Sequence, residues 1–466
     1  MISSRVSKQR AAASQARESA SGAFRAALAA PRTPPMSAML NALAEVASAK
    51  TPGSRRAILI AMSHVLPRLR LSLDFMPSPD PERPGLLIRD PYHFSDTMLL
   101  IPPPLVQCLA CFDGEQTELE LRQSLVHATG EIQVGDLEEQ LLEGLSEAGF
   151  LEDEAFTQLR DSKMKAFAVA PAREATHAGS AYPEEPAEAR AQLDEYMKES
   201  PVYAEPSLLG IAAPHVSPFG GWESYRDAYA ALQGVSRDKT FVILGTSHYG
   251  QADRFGLTRK PFATPFGESR TNLDLVNELA THAPGAVLME DYCHAVEHSI
   301  EFQVLFLQYV FGPDIEILPI LCGSFARSIQ EGGAPENDDH VKRFLGALGE
   351  IGARKKDDLF WVLGIDMAHM GRRYGDPLEA RADCGEMLRV SQRDHARIDR
   401  IAHSDARGFW DLVQENHDDL KWCGSAPLYT FLSAVPQASA KLRRYQQWNI
   451  DEHSVVSFAA MTFHHS

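Results

Sequence analysis

From Leu208 onward, short apolar runs of β-forming residues alternate with helical patterns, and that alternation leaves few folds open. The strand candidates are Leu208–Ala213, Thr240–Leu244, Ile315–Leu321, Leu359–Leu363 and Val455–Thr462. Helical periodicity falls at residues 223–233, 273–281, 297–311, 341–349, 380–403, 408–414 and 427–434. Strands that are apolar almost throughout belong in a sheet covered on both faces, so the expected class is α/β. Two of them end alike, "LLGIAAPH" at His215 and "FVILGTSH" at His248. The helix between them has the length of a βαβ crossover, which predicts parallel, adjacent strands. Both imidazoles then emerge at the carboxyl edge of the sheet, where open α/β folds bind ligands.

Upstream the texture differs. Residues 1–70 carry 11 Lys or Arg against Glu18 and Glu45, in Ala- and Ser-rich sequence with Phe24 as the single aromatic. Residues 1–76 therefore read as a leader outside the fold: a disordered tail, a targeting peptide, or sequence upstream of the true start. Residues 77–155 show apolar triplets at Leu86-Leu87-Ile88 and Leu99-Leu100-Ile101, then three helical patterns and a closing Phe150-Leu151. That is a small α+β, winged-helix-like module. A charged linker at 156–172 leads into the main domain, 173–466. The insert Ser328 to His340 reads as a mobile surface loop.

The whole chain has a net charge of −18, which argues against a nucleic-acid partner. No apolar run reaches the ~20 residues of a membrane span. Six cysteines in 466 residues fit a reducing, cytoplasmic compartment better than a disulfide scaffold. Cys108 and Cys111 form a CxxC inside an apolar helical pattern with no second pair, and read as buried thiols.

Further polar residues gather around the two strand-end histidines. Cys423-Gly424 stands just before an apolar helix, a position that favours a thiolate, although burial is the commoner fate of a cysteine. His215, His248 and Cys423 would make a three-ligand site with open positions, suited to iron, copper or zinc. In "EHSIE", His298 and Glu301 are three apart, which on one helix points both into one cleft. Asp291, His294 and Glu297 lie near them, as carboxylates able to set a histidine tautomer and as a possible HxxxH pair. In "FWVLGIDMAHMG", His369 is a candidate general acid/base with Asp366 as its orienter.

In order along the chain, "REATHAGSAYP", "APH", "LGTSH", "EHSIE", "DMAH", "CG" and "SVVSFAA" resemble the Memo family, also called AmmeMemoRadiSam system protein B. The resemblance implies an α/β/α sandwich like that of the class III extradiol dioxygenases. It also implies iron or copper, with zinc the weaker option, on His215, His248 and Cys423. His298, His369 and Asp366 would then act around the metal. It further implies radical-SAM and AMMECR-type partners. Residues 82–152, with "RDP", "IPPPLVQCLACFDG" and "LLEGLSEAGFLED", resemble PqqD-like modules that recognise peptides. The sequence departs from the Memo pattern at Val216-Ser217-Pro218, at Gly364-Ile365 and at Ala181. Three functions follow: a redox metalloprotein, a non-catalytic peptide- or protein-binding scaffold that keeps an ancestral cleft, and a zinc hydrolase using Glu301 or His369 as base.

Overall fold

The computed structural model describes residues 64–203 and 207–465. One compact unit ends at Lys165 and the other begins at Ala166. The leader expected at 1–76 lies outside the described residues except for its last stretch.

In the first unit, β1 (Asp74–Pro77), β2 (Leu86–Arg89) and β3 (Met98–Ile101) form an antiparallel sheet in that order. A 3-10 segment Pro103–Cys111 and helices Glu118–Thr129 and Gly135–Glu147 pack on it. Thr117 and Glu120 close a capping box at the start of the first helix. Leu66 and Leu73, assigned from composition to the leader, are buried in this core beside Ile88, Leu121 and Phe150. Arg70, also from that stretch, is a buried partner of Asp90 at 3.0 Å and donates to the Gly149 carbonyl at 2.9 Å. Low aromatic content thus hid a segment that the fold needs. Phe150-Leu151 supplies one bridge, Leu69 to Leu151, and no strand. The expected linker is a helix, Glu154–Val169.

The second unit is built on one large sheet. Its strands are β4 (Leu208–Ala213), β5 (Thr240–Thr246), β6 (Phe255–Leu257), β7 (Phe262–Thr264), β8 (Gly267–Thr271), β9 (Val287–Met289), β10 (Glu316–Cys322), β11 (Leu359–Gly364), β12 (His369–Gly371), β13 (Ala438–Asp451) and β14 (Ser454–His465). The main path runs β12-β14-β4-β11-β5-β10-β6-β9. Strands β4, β11, β5 and β10 are mutually parallel, while β14 runs antiparallel to β4. The strands bearing His215 and His248 are therefore parallel but not adjacent, because β11 lies between them. Sequence order favours pairing of consecutive strands, and here the later strand was inserted.

Alternation along β5 and β11 divides the core. Val242, Leu244, Leu359, Trp361 and Leu363 face one cluster, under helices Leu273–His282, Asp339–Arg354 and Ser425–Ala434. Phe241, Ile243, Phe360 and Val362 face the other, under helices Pro218–Tyr229 and Glu301–Phe311. The insert expected to be mobile is packed instead. Ser328 Oγ donates to Gly333 O at 2.7 Å and accepts from Trp410 Nε1 at 2.7 Å, and Asp338 caps the helix Asp339–Arg354. Glycines and acids suggested a loop; helix Ala326–Glu331 and a 3-10 turn occupy most of it.

Candidate metal centre

Three neighbouring strands each deliver one polar residue just past their carboxyl ends: His215 after β4, Asp366 after β11 and His248 after β5. Cys423 enters from the turn before helix Ser425–Ala434, where Gly424 N donates to Asp366 O at 3.0 Å.

His215 is 2% exposed, and its Nδ1 lies 3.0 Å from the Gly364 carbonyl. A carbonyl only accepts, so Nδ1 donates to it and Nε2 is the ring nitrogen left facing the site. That Nε2 lies 3.3 Å from Cys423 Sγ and 3.4 Å from Asp366 Oδ2. Asp366 Oδ1 accepts from His215 N at 2.9 Å and Val216 N at 3.3 Å. Burial pushes the Asp366 carboxyl up to about 6, against the pull of His369 and these bonds. For Cys423 burial opposes the thiolate, but the imidazoles of His215 and His248 outweigh it and hold the thiol below its ordinary range.

His248 is fixed by one carboxylate. Its backbone N donates to Glu297 Oε2 at 2.9 Å, and its Nδ1 lies 3.0 Å from Oε1. Burial disfavours its charge, yet Glu297 and then Cys423 raise it well above the usual histidine range. The same contacts hold Glu297 far below an ordinary carboxylate although burial works the other way. His298 stacks on His248 with ring centroids 5.2 Å apart and planes 6° from parallel, and its Nδ1 is 3.3 Å from Glu297 Oε1. Burial, with His248, His215 and His177 nearby, pushes His298 well below its usual range in spite of Glu297.

Ligand atoms of His215, His248 and His298 lie within 4.8 Å of one another, as do those of His215, Asp366 and Cys423. The trio expected from sequence straddles these two groups, which share His215. His369 stands beside them. Its Nδ1 is held by Met367 O at 2.9 Å and Lys421 O at 3.1 Å, and its ring meets Tyr374 edge-on at 5.0 Å. Burial holds His369 below its usual range despite Asp366.

Glu301 is placed differently. Its fully buried carboxylate pairs with Arg173 and accepts from Tyr182 Oη and, at 3.0 Å, His177 N. Residues three apart share a face only on one continuous helix, but the chain turns extended at Glu297 and helix Glu301–Phe311 begins only afterwards. His294 also turns away from His298, with Nε2 3.0 Å from Gly256 O. Glu297 is the carboxylate shared by two imidazoles, and its signal in the sequence is the adjacent Glu-His pair. His177, which no strand end or helix face marks in the sequence, has its ring 5.5 Å from that of His298. Cys108 and Cys111 are buried, as expected, and burial raises Cys111 to about 11.

Residues 173–462 match the Memo-like protein family. A MEMO1 family protein of Aquifex aeolicus is 24% identical over 382 residues, covering 81% of this chain and 96% of the relative. An alignment of that length extends well upstream of residue 173, into the first unit. A MEMO1 family protein of Thermococcus kodakarensis is 31% identical over 265 residues, 54% of this chain and 85% of its own. The crystal structure of an uncharacterized protein from Escherichia coli K12 aligns at TM-score 0.35 and 10% identity, covering 55% of this chain and 99% of that one. Among the described residues no helix is long and apolar enough to cross a membrane.

Proposed function

Since the chain belongs to the Memo-like protein family across residues 173–462, we propose that its sheet-edge cluster holds iron or copper on His215, His248 and Cys423. One observation carries this reading. A cysteine sulfur lies 3.3 Å from the Nε2 of a histidine whose Nδ1 is tied to a carbonyl, so the sulfur and the ring's second nitrogen face each other. His248 is prepared in the same way, its Nδ1 held by a carboxylate. Mixed imidazole and thiolate donors suit iron or copper, and the metal would supply one-electron redox chemistry there. Around it the chain's own groups have distinct tasks. Glu297 orients His248 and His298. His369, its Nδ1 already committed, offers Nε2 to carry a proton, and Asp366 steadies the turn at His215-Val216.

The group of three imidazoles favours a second reading, a zinc hydrolase, because three histidines suit catalytic zinc. A radical-SAM-linked setting and peptide capture by the first unit are supported by sequence resemblance, with the Aquifex aeolicus match showing that the first unit's sequence travels with this domain.

The test is metal analysis of protein purified without oxygen. Iron or copper near one per chain, lost in both Cys423→Ser and His215→Ala, is the expected result. Zinc that survives Cys423→Ser but not His298→Ala would replace it with the hydrolase. A folded protein that takes up no metal would leave the scaffold function.

A further inference from the structure

Away from the cluster, Asp394 in helix Glu386–Ala402 is fully buried and accepts three hydrogen bonds from three separate segments. Its Oδ1 receives Trp422 Nε1 at 2.7 Å; its Oδ2 receives Tyr445 Oη at 2.7 Å and Ser457 Oγ at 2.6 Å. Two of these donors lead to the site. Trp422 immediately precedes Cys423. Ser457 grips the residues between Asp366 and His369. Its carbonyl accepts from Met367 N at 2.8 Å, its N donates to Ala368 O at 2.9 Å, and its Oγ accepts from Ala368 N at 2.9 Å. Having given its proton to Asp394, that Oγ has only acceptor capacity left for Ala368, so the polarity of the chain is fixed. The third donor, Tyr445, lies on β13 and touches neither site segment in this way.

We infer that Asp394 is a positioning residue for Cys423, one carboxylate that locks the cysteine turn and the Asp366–His369 turn at a fixed separation. This rests on the reading of Cys423 as a metal ligand. An amide in its place has one accepting oxygen and a donating nitrogen, so three converging donors cannot all be satisfied. Loss of such outer partners characteristically weakens metal binding about 10–100-fold.

The experiment titrates metal-stripped full-length protein with Co²⁺ and follows the thiolate-to-cobalt absorption band and the dissociation constant. Asp394→Asn should bind about 10–100-fold more weakly and lose or shift the band. Trp422→Phe, which removes the indole N–H donor and keeps an aromatic ring at the position, should move the band in the same direction, and it carries the test if Asp394→Asn does not fold. Tyr445→Phe, which shares the carboxylate but not the path, should leave band and affinity unchanged. A wild-type band and affinity in Asp394→Asn, or in Trp422→Phe where Asp394→Asn does not fold, would overturn the positioning role alone, provided that Cys423→Ser abolishes the band. If the wild-type protein gives no thiolate band, or if Cys423→Ser keeps it, the ligand assignment fails and the positioning role fails with it.

Discussion

Replacing Arg173 by Met separates the structural role of Glu301 from a catalytic one. Arg173 and Glu301 form an ion pair with both side chains at 0% exposure. The guanidinium also donates at 2.7 Å to each of the carbonyls of Glu174, His294 and Glu297. Removing one member of a buried pair strands the other charge and costs about 3–5 kcal/mol. At about 2–4 °C per kcal/mol for a large domain, the melting temperature should fall by roughly 6–20 °C. Urea unfolding of metal-free protein measures the same loss at constant temperature. The double variant Arg173→Met/Glu301→Leu should be more stable than Arg173→Met, because no unpaired charge remains. pH adds a second axis. Burial pushes the Glu301 carboxyl up, but Arg173, His177 and the bond from Tyr182 outweigh it, leaving the folded state below the ordinary range. A depressed folded value contributes stability above the unfolded carboxylate range and loses it as pH falls through the folded value. The deficit of Glu301→Gln should therefore be wide at neutral pH and close in acid. A Glu301→Gln protein with wild-type stability at neutral pH would refute the structural assignment and return this carboxylate to the list of candidate bases.

Three further outcomes follow from the site. Glu297→Gln removes the charge that holds both His248 and His298, and equilibrium dialysis should show metal binding weakened about 10–100-fold. Gly245→Ala would set a Cβ 2.6 Å from Ser299 Oγ and 2.7 Å from Ile300 Cγ1, so overpacking should cost about 1–3 kcal/mol in urea and displace His298. The double variant Cys108→Ser/Cys111→Ser should leave metal content per chain unchanged while lowering the stability of the first unit, whose core these thiols fill.

What the sequence disclosed was strongest where one residue type met one edge of an element. Continuous apolar runs located β4, β5, β10 and β11 to within a residue or two, and the polar residues ending them marked the site. It failed where partners came from far away. β13 has no apolar run, because Arg444, Tyr445 and Gln446 are satisfied by Asp227, Asp394 and Ser224 on two different helices. The same blindness separated Glu301 from its true partner, Arg173, 128 residues upstream. The adjacency of β4 and β5 was misjudged because nothing local announces that a strand more than 100 residues later will enter between them.

That inserted strand explains why the site closes. Two strands away from each other, β4 and β5 lie roughly 9–10 Å apart, yet the imidazoles of His215 and His248 approach to 5.0 Å between centroids. The strand between them must end without a side chain in the way, and it ends in Gly364, whose carbonyl is the acceptor for His215 Nδ1. Gly364 is paired in register with Gly245 on β5 and with Ala213 on β4. A Cβ on either glycine would strike Ser299. The small residues therefore let the segment from Glu297 to Ile300 lie directly across the sheet's end, which sets Glu297 under His248 and brings His298 over it. The glycines in "VLGID" and "ILGTSH" are thus as necessary to the cluster as the side chains that would bind metal, because they make room for the segment that orients them.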